Sequence, residues 1–152
     1  GPAMVLGAGG AKRESVAGRS GEGCKEVSLA NRTRDRADRL ADHFGARITP
    51  VDWREASAAM DGARTIVNTT VLGMAGQADL DVTLAAAPAD AVVNDIVYVP
   101  LETPLLREAR ARGLIAVDGL GMLLHQAAPG FERWFGKRPV VDADLRAAVL
   151  GA

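Results

Sequence analysis

The stretch Gly7-Ala8-Gly9-Gly10-Ala11 sets three glycines within five positions directly after the short apolar run Ala3-Met4-Val5-Leu6. Glycines permit a tight turn and let backbone N–H groups approach a phosphate at a helix start. On its own such a run is as readily a plain turn. Its place after a first buried strand favours a pyrophosphate site at this Gly7-Ala8-Gly9-Gly10-Ala11 turn. The spacing departs from G-x-G-x-x-G, because Lys12 stands where a small residue lets helix and strand pack closely.

A second group, Asn31-Arg32-Thr33 with Arg36 one helical turn on, follows the next apolar run, Val27-Ser28-Leu29-Ala30. Dinucleotide-binding domains that take NAD place an acid here for the ribose 2′-hydroxyl. That acid is absent. Arg32 and Arg36 instead offer charge-assisted hydrogen bonds to a 2′-phosphate, and a guanidinium also stacks on a purine, so the pattern favours NADP over NAD. Arg34 and Arg39 read as the solvated face of a helix.

The remaining chemistry-bearing types are ordinary. His43 falls in the last turn of an amphipathic segment, where a cation suits the helix dipole, and His125 sits beside Gln126; no motif brings either to a nucleophile. Cys24 is the one cysteine, which excludes an internal disulfide and a multi-cysteine metal site and fits a reducing cytoplasm. No metal site is expected. A net charge of -1 gives no field to collect nucleic acid, and no apolar run reaches the length of a membrane span or follows the pattern of a secretory signal.

These groups need a scaffold that brings strand ends together. At 152 residues, with 48% hydrophobic and 24% charged positions, the chain has the size and composition of one globular domain. Strands are expected at residues 3–6, 27–30, 46–49, 65–68, 91–97 and 114–117. Between them lie a helix from Thr33, with Ala37, Leu40, Ala41 and Phe44 inward and Gly45 as its stop, a helix from about Asp52 with Trp53, Ala56 and Met60 inward, and a helix from Thr103 to Arg112. A last helix follows Gly121. Strands alternating with helices at this spacing imply right-handed crossovers, and hence a doubly wound, mainly parallel six-stranded sheet of the Rossmann type. The crossover 12–23 fits poorly: it has almost no apolar stripe, and each of Gly18, Gly21 and Gly23 costs a helix interior about 0.8–1 kcal/mol against alanine.

Several motifs in this order resemble shikimate dehydrogenase: the glycine turn, Asn31-Arg32-Thr33, Val67-Asn68-Thr69-Thr70 with Leu72-Gly73-Met74, Asp95-Ile96-Val97-Tyr98 with Thr103-Pro104-Leu105-Leu106, and Asp118-Gly119-Leu120-Gly121-Met122-Leu123 with Gln126-Ala127-Ala128. The last two are the most specific. The resemblance implies NADP-dependent interconversion of 3-dehydroshikimate and shikimate, in aromatic amino-acid and chorismate biosynthesis in the cytoplasm. It implies pyrophosphate contacts at Gly9, Gly10 and Ala11, 2′-phosphate contacts at Asn31, Arg32, Thr33 and Arg36, and Thr69 and Thr70 bordering the cofactor. Ile96, Gly119 and Met122 would line the nicotinamide, and Tyr98 and Gln126 would face the substrate. Val71 departs from the pattern, standing where the family often has proline. The family's substrate domain, which supplies a lysine and an aspartate for proton transfer, would precede residue 1. The chain is therefore expected to carry no catalytic residue, to be inactive alone, and to self-associate through the apolar face that domain would cover. The competing readings are an NAD-dependent quinate/shikimate dehydrogenase domain and a non-catalytic nucleotide-binding module.

Overall fold

The computed structural model describes residues 1–8 and 26–151. Gly9, Gly10, Ala11 and the whole 12–23 crossover lie outside the described residues. Six strands, β1 (Ala3–Leu6), β2 (Val27–Ala30), β3 (Ile48–Val51), β4 (Thr65–Asn68), β5 (Val92–Asp95) and β6 (Ile115–Val117), form one sheet in the order β3-β2-β1-β4-β5-β6. Every pairing is parallel. The winding therefore reverses between β1 and β4, which in this class of sheet places the ligand crevice at the carboxyl ends of those strands.

Apolar residues on both faces of each central strand explain the layering. Met4 and Leu6 pack with Ile66, Val93, Leu105, Leu106 and Ala109, whereas Val5 packs on the opposite face with Leu29, Ala37, Leu40 and Ile48. Helix α1 (Arg34–Phe44) covers that second face through Ala37 and Leu40, and Gly45, at φ +74°, ends it with its N–H donating to the Ala41 carbonyl. Helix α2 (Pro104–Ala111) covers the first face. Thr103 caps it by accepting from the Leu106 N–H, and proline follows at the first turn, where no donor is lost. Helices α3 (Leu120–Phe135) and α4 (Ala143–Leu150) complete the chain. None of the helices among the described residues is long and apolar enough to cross a membrane.

Several expectations need correction, and the fifth strand, expected at 91–97, runs only over Val92–Asp95. Residues 45–47 form a 3-10 turn, so the third strand begins at Ile48 rather than Ala46 and runs on through Pro50; an edge strand tolerates proline's missing donor. The helix expected from Asp52 is two 3-10 turns, Trp53–Glu55 and Ala58–Met60. Ala56 and Met60 are still fully buried, but the Ser57 hydroxyl accepts from the Thr83 N–H at 3.0 Å and the Trp53 indole donates to Asp81 at 2.9 Å, and these ties to a distant strap replace a regular ladder. That strap is the 69–91 connection, which crosses from β4 to β5 with no α-helix. Leu84 plugs it into the core, and Glu108 on α2 accepts from the Leu84 N–H at 2.8 Å. Finally, α4 is an element that the sequence does not announce. Its start is capped by Asp142, but none of its residues is buried, so it carries no core-facing stripe to read.

Candidate functional site

The carboxyl ends of β1, β2 and β4 open into a cavity of about 360 Å³ lined by Gly7, Ala8, Asn31, Arg32, Arg36, Trp53, Thr69, Thr70, Val71 and Ile96. A second, strongly apolar cavity of about 270 Å³ is lined by Thr70, Val71, Met74, Ile96, Val97, Tyr98, Val99 and Met122. Thr70, Val71 and Ile96 belong to both, so the two form one elongated cleft with a basic lobe and an apolar lobe. Of the residues expected from separate stretches of sequence, the parallel topology brings Gly7, Asn31, Arg32, Arg36, Thr69, Thr70, Ile96, Tyr98 and Met122 to this cleft.

At the turn after β1, Gly7 has φ +100°, and a Cβ there would stand 2.7 Å from the Thr70 methyl and 2.9 Å from the Thr69 hydroxyl. Only glycine fits. Its N–H donates to the Ala30 carbonyl at 2.8 Å, and the Ala8 N–H donates to the Asn31 side-chain oxygen at 2.9 Å. Both donors are therefore committed to the fold, and any backbone N–H offered to a phosphate from this loop comes from beyond Ala8. Asn31 also donates through Nδ2 to the Thr33 carbonyl at 2.7 Å, so one side chain ties the glycine turn to the start of α1. Arg32 and Arg36 are exposed and line the basic lobe; Thr33, also exposed, holds the N-cap position of α1 and is not among the lining residues.

The floor between the lobes is a buried polar network. Asp95 and Asn68, both 0% exposed, close the ends of β5 and β4. The Asp95 carboxylate accepts from Asn68 Nδ2 at 3.0 Å, from the Val97 N–H at 3.0 Å and from the Thr103 hydroxyl at 2.7 Å. Asn68 Oδ1 accepts from the Thr70 N–H at 3.0 Å and from its hydroxyl at 2.7 Å. Burial pushes the Asp95 carboxyl above its ordinary value, opposed by the hydrogen bonds from Thr103, Val97 and Asn68. The network sets the backbone that carries Thr70, Ile96 and Tyr98 into the cleft. The Thr69 hydroxyl is likewise turned inward, donating to the Leu6 carbonyl at 2.9 Å.

At the apolar lobe, Gly119 lies against the loop after β5: a Cβ there would stand 2.2 Å from the Ile96 carbonyl oxygen. Met122, one turn into α3, reaches the lobe, and Tyr98 at its mouth is 43% exposed. Gln126 is exposed on α3 and is not among the lining residues of either lobe. His125 is exposed beside it, and the His43 ring stacks edge-on against Phe44 at the end of α1. Among the described residues no cluster of three or more His, Cys, Asp or Glu is arranged to hold a metal ion. Trp53 is a cleft residue that sequence reasoning misses. Its apolar character and spacing mark a core side chain, and nothing in the sequence alone indicates that the 3-10 turn sets it at the cleft wall.

Comparison with known proteins agrees with this architecture. A family profile described as shikimate / quinate 5-dehydrogenase matches residues 2–74, and one described as the shikimate 5'-dehydrogenase C-terminal domain matches residues 119–149. A shikimate dehydrogenase (NADP(+)) of Paramagnetospirillum magneticum is 59% identical over 150 residues, which is 99% of this chain and 54% of that protein. The chain thus spans about half the length of the curated relatives it matches. Among solved structures, the quinate dehydrogenase of Corynebacterium glutamicum in complex with NAD superposes with a TM-score of 0.87 at 29% identity, covering 99% of this chain and 55% of that one. Shikimate 5-dehydrogenase of Thermus thermophilus, in complex with NADP(H) and shikimate, gives 0.75 at 38% identity, covering 91% and 50%. A shared fold, two family profiles at the two ends of the chain and identity above half across nearly all of it have one reading: the chain belongs to the shikimate dehydrogenase family.

Proposed function

We propose that the chain is the NADP-binding domain of a shikimate dehydrogenase, serving the reduction of 3-dehydroshikimate to shikimate in chorismate and aromatic amino-acid biosynthesis in the cytoplasm. The observation that carries this reading is the pairing of Arg32 and Arg36 on the wall of a cleft that opens at the Gly7 turn. The lining fits a dinucleotide with a 2′-phosphate: two guanidiniums at one end and an apolar lobe of Ile96, Met122 and Val97 at the other. Bound NADPH supplies hydride chemistry at its nicotinamide. The residues of this chain bind and orient. Arg32 and Arg36 hold the phosphate, Gly7 lets the turn close against Thr69 and Thr70, and the apolar lobe excludes water from one face of the flat ring. Gly9, Gly10 and Ala11 would supply the pyrophosphate donors, Gly119 would lie along the nicotinamide, and Tyr98 and Gln126 would meet the substrate.

Proton transfer requires groups from a further domain of the parent protein, so the isolated chain is expected to bind the cofactor and to show no turnover of shikimate with NADP. Family-like activity from this polypeptide alone would refute that expectation. It is also expected to self-associate through its exposed apolar face, read as a concentration-dependent rise in sedimentation coefficient.

The central test is calorimetric titration with NADP and NAD, on the chain and on Arg32→Ala and Arg36→Ala. Hydrogen bonds to a charged group are worth about 1.5–3 kcal/mol, so each substitution is expected to weaken NADP binding at least roughly tenfold and leave NAD nearly unaffected. The likeness to an NAD-bound quinate dehydrogenase supports a second reading, an NAD-dependent quinate/shikimate dehydrogenase domain. NAD binding tighter than NADP would favour it.

A further inference from the structure

We propose that Trp53 is the aromatic wall of the basic lobe, against which the purine of an adenine nucleotide packs. This rests on the nucleotide reading above and adds to it a recognition residue outside the glycine turn and the arginine pair. Trp53 follows β3, the strand beyond β2 on the side of the sheet away from β4, and lines the same cavity as Arg32 and Arg36. A base attached to a ribose whose 2′-phosphate those arginines hold would sit at this end.

The indole is fixed before any ligand arrives. Its Nε1–H donates to Asp81 Oδ1 at 2.9 Å, and the half-buried ring packs against the core cluster that contains Met60 and Leu84. An aromatic plane held in this way loses little rotamer freedom when a base stacks on it, which is the arrangement that makes aromatic side chains good platforms for purines. A tryptophan needed only to fill the core would be enclosed, whereas this one is left part-exposed on the wall of a cleft.

The two tryptophans, Trp53 and Trp134, make a direct test possible, because Trp134 is 81% exposed on the far end of α3 and outside the cleft. In the Trp134→Phe chain, titration with 2′,5′-ADP is expected to quench the emission of Trp53. By calorimetry, Trp53→Leu is expected to weaken 2′,5′-ADP about tenfold, Asp81→Ala to weaken it by less, and Trp53→Phe to retain most of the affinity because the flat ring is kept. Unchanged affinity in Trp53→Leu, or an equal loss in the phenylalanine variant, overturns the inference. Should Trp53→Leu fail to fold, the quench and the Trp53→Phe affinity decide it. Heat of binding in the Trp134→Phe chain without any change in emission overturns the role of Trp53 and leaves the nucleotide reading standing; no heat with either 2′,5′-ADP or NADP removes both.

Discussion

Gly119 shows how a single missing methyl shapes the cleft. Its backbone lies so close to the loop after β5 that a Cβ would meet the Ile96 carbonyl oxygen at 2.2 Å and the Val97 carbonyl oxygen at 2.7 Å. Both obstacles are backbone, so no side chain can swing aside. Gly119→Ala is expected to cost about 1–3 kcal/mol, the usual penalty of overpacking, and to widen the apolar lobe by pushing α3 from the loop that carries Ile96. Urea denaturation checks the first, and an unaltered midpoint would mean the approach is looser than the geometry shows. Residues of this kind are partly legible in the sequence. The family resemblance names Gly119, Ile96 and Met122 as neighbours in function, and they adjoin in space. Arg32 and Arg36 are legible as cleft residues because the end of the second strand is where such a sheet opens its crevice, and a missing acid there is visible in a string of letters. The committed N–H groups of Gly7 and Ala8 are not, since each donor's partner stands 23 positions away along the chain.

Among the elements, the strands are legible where a short, mostly apolar run meets a glycine or a polar stop, as in β1 and β2. Trp53, Ala56 and Met60 mislead, because their spacing suits an α-helix while their actual geometry is set by ties to Asp81 and Thr83, about which local periodicity carries no information. The Asp95 network is equally hidden: its members come from β4, β5 and the cap of α2, and only the fold joins them. It makes a pH prediction. Asp95 is more readily protonated in the fold than in the unfolded chain, so between the ordinary aspartate value and its raised one the folded state holds more protons. Its contribution to stability therefore falls as pH rises through that window. Asp95→Asn removes this dependence. The stability of the parent chain minus that of the variant, from urea curves at a series of pH values, is expected to shrink as pH rises; a difference that grows would contradict the raised value.

For the molecule as a whole, the sheet and its flanking helices form a firm body from which one part stands apart. Helix α4 buries nothing of its own. Arg146 ties it to the body: its guanidinium donates to both oxygens of Asp118, at 3.1 and 2.6 Å, just before α3 begins. The partners are 34% and 16% exposed, so water and ions retain access to the pair. Asp118→Asn is expected to strip amide-exchange protection from 143–150 while β1 and β4 keep theirs; unchanged protection there would show that the helix is secured by other means. An anchorage made of two opposite charges behaves unlike one made of oil. Added electrolyte loosens it, with no need to disturb the interior. Helix α4 is accordingly a tethered arm whose grip is set by the surrounding solution.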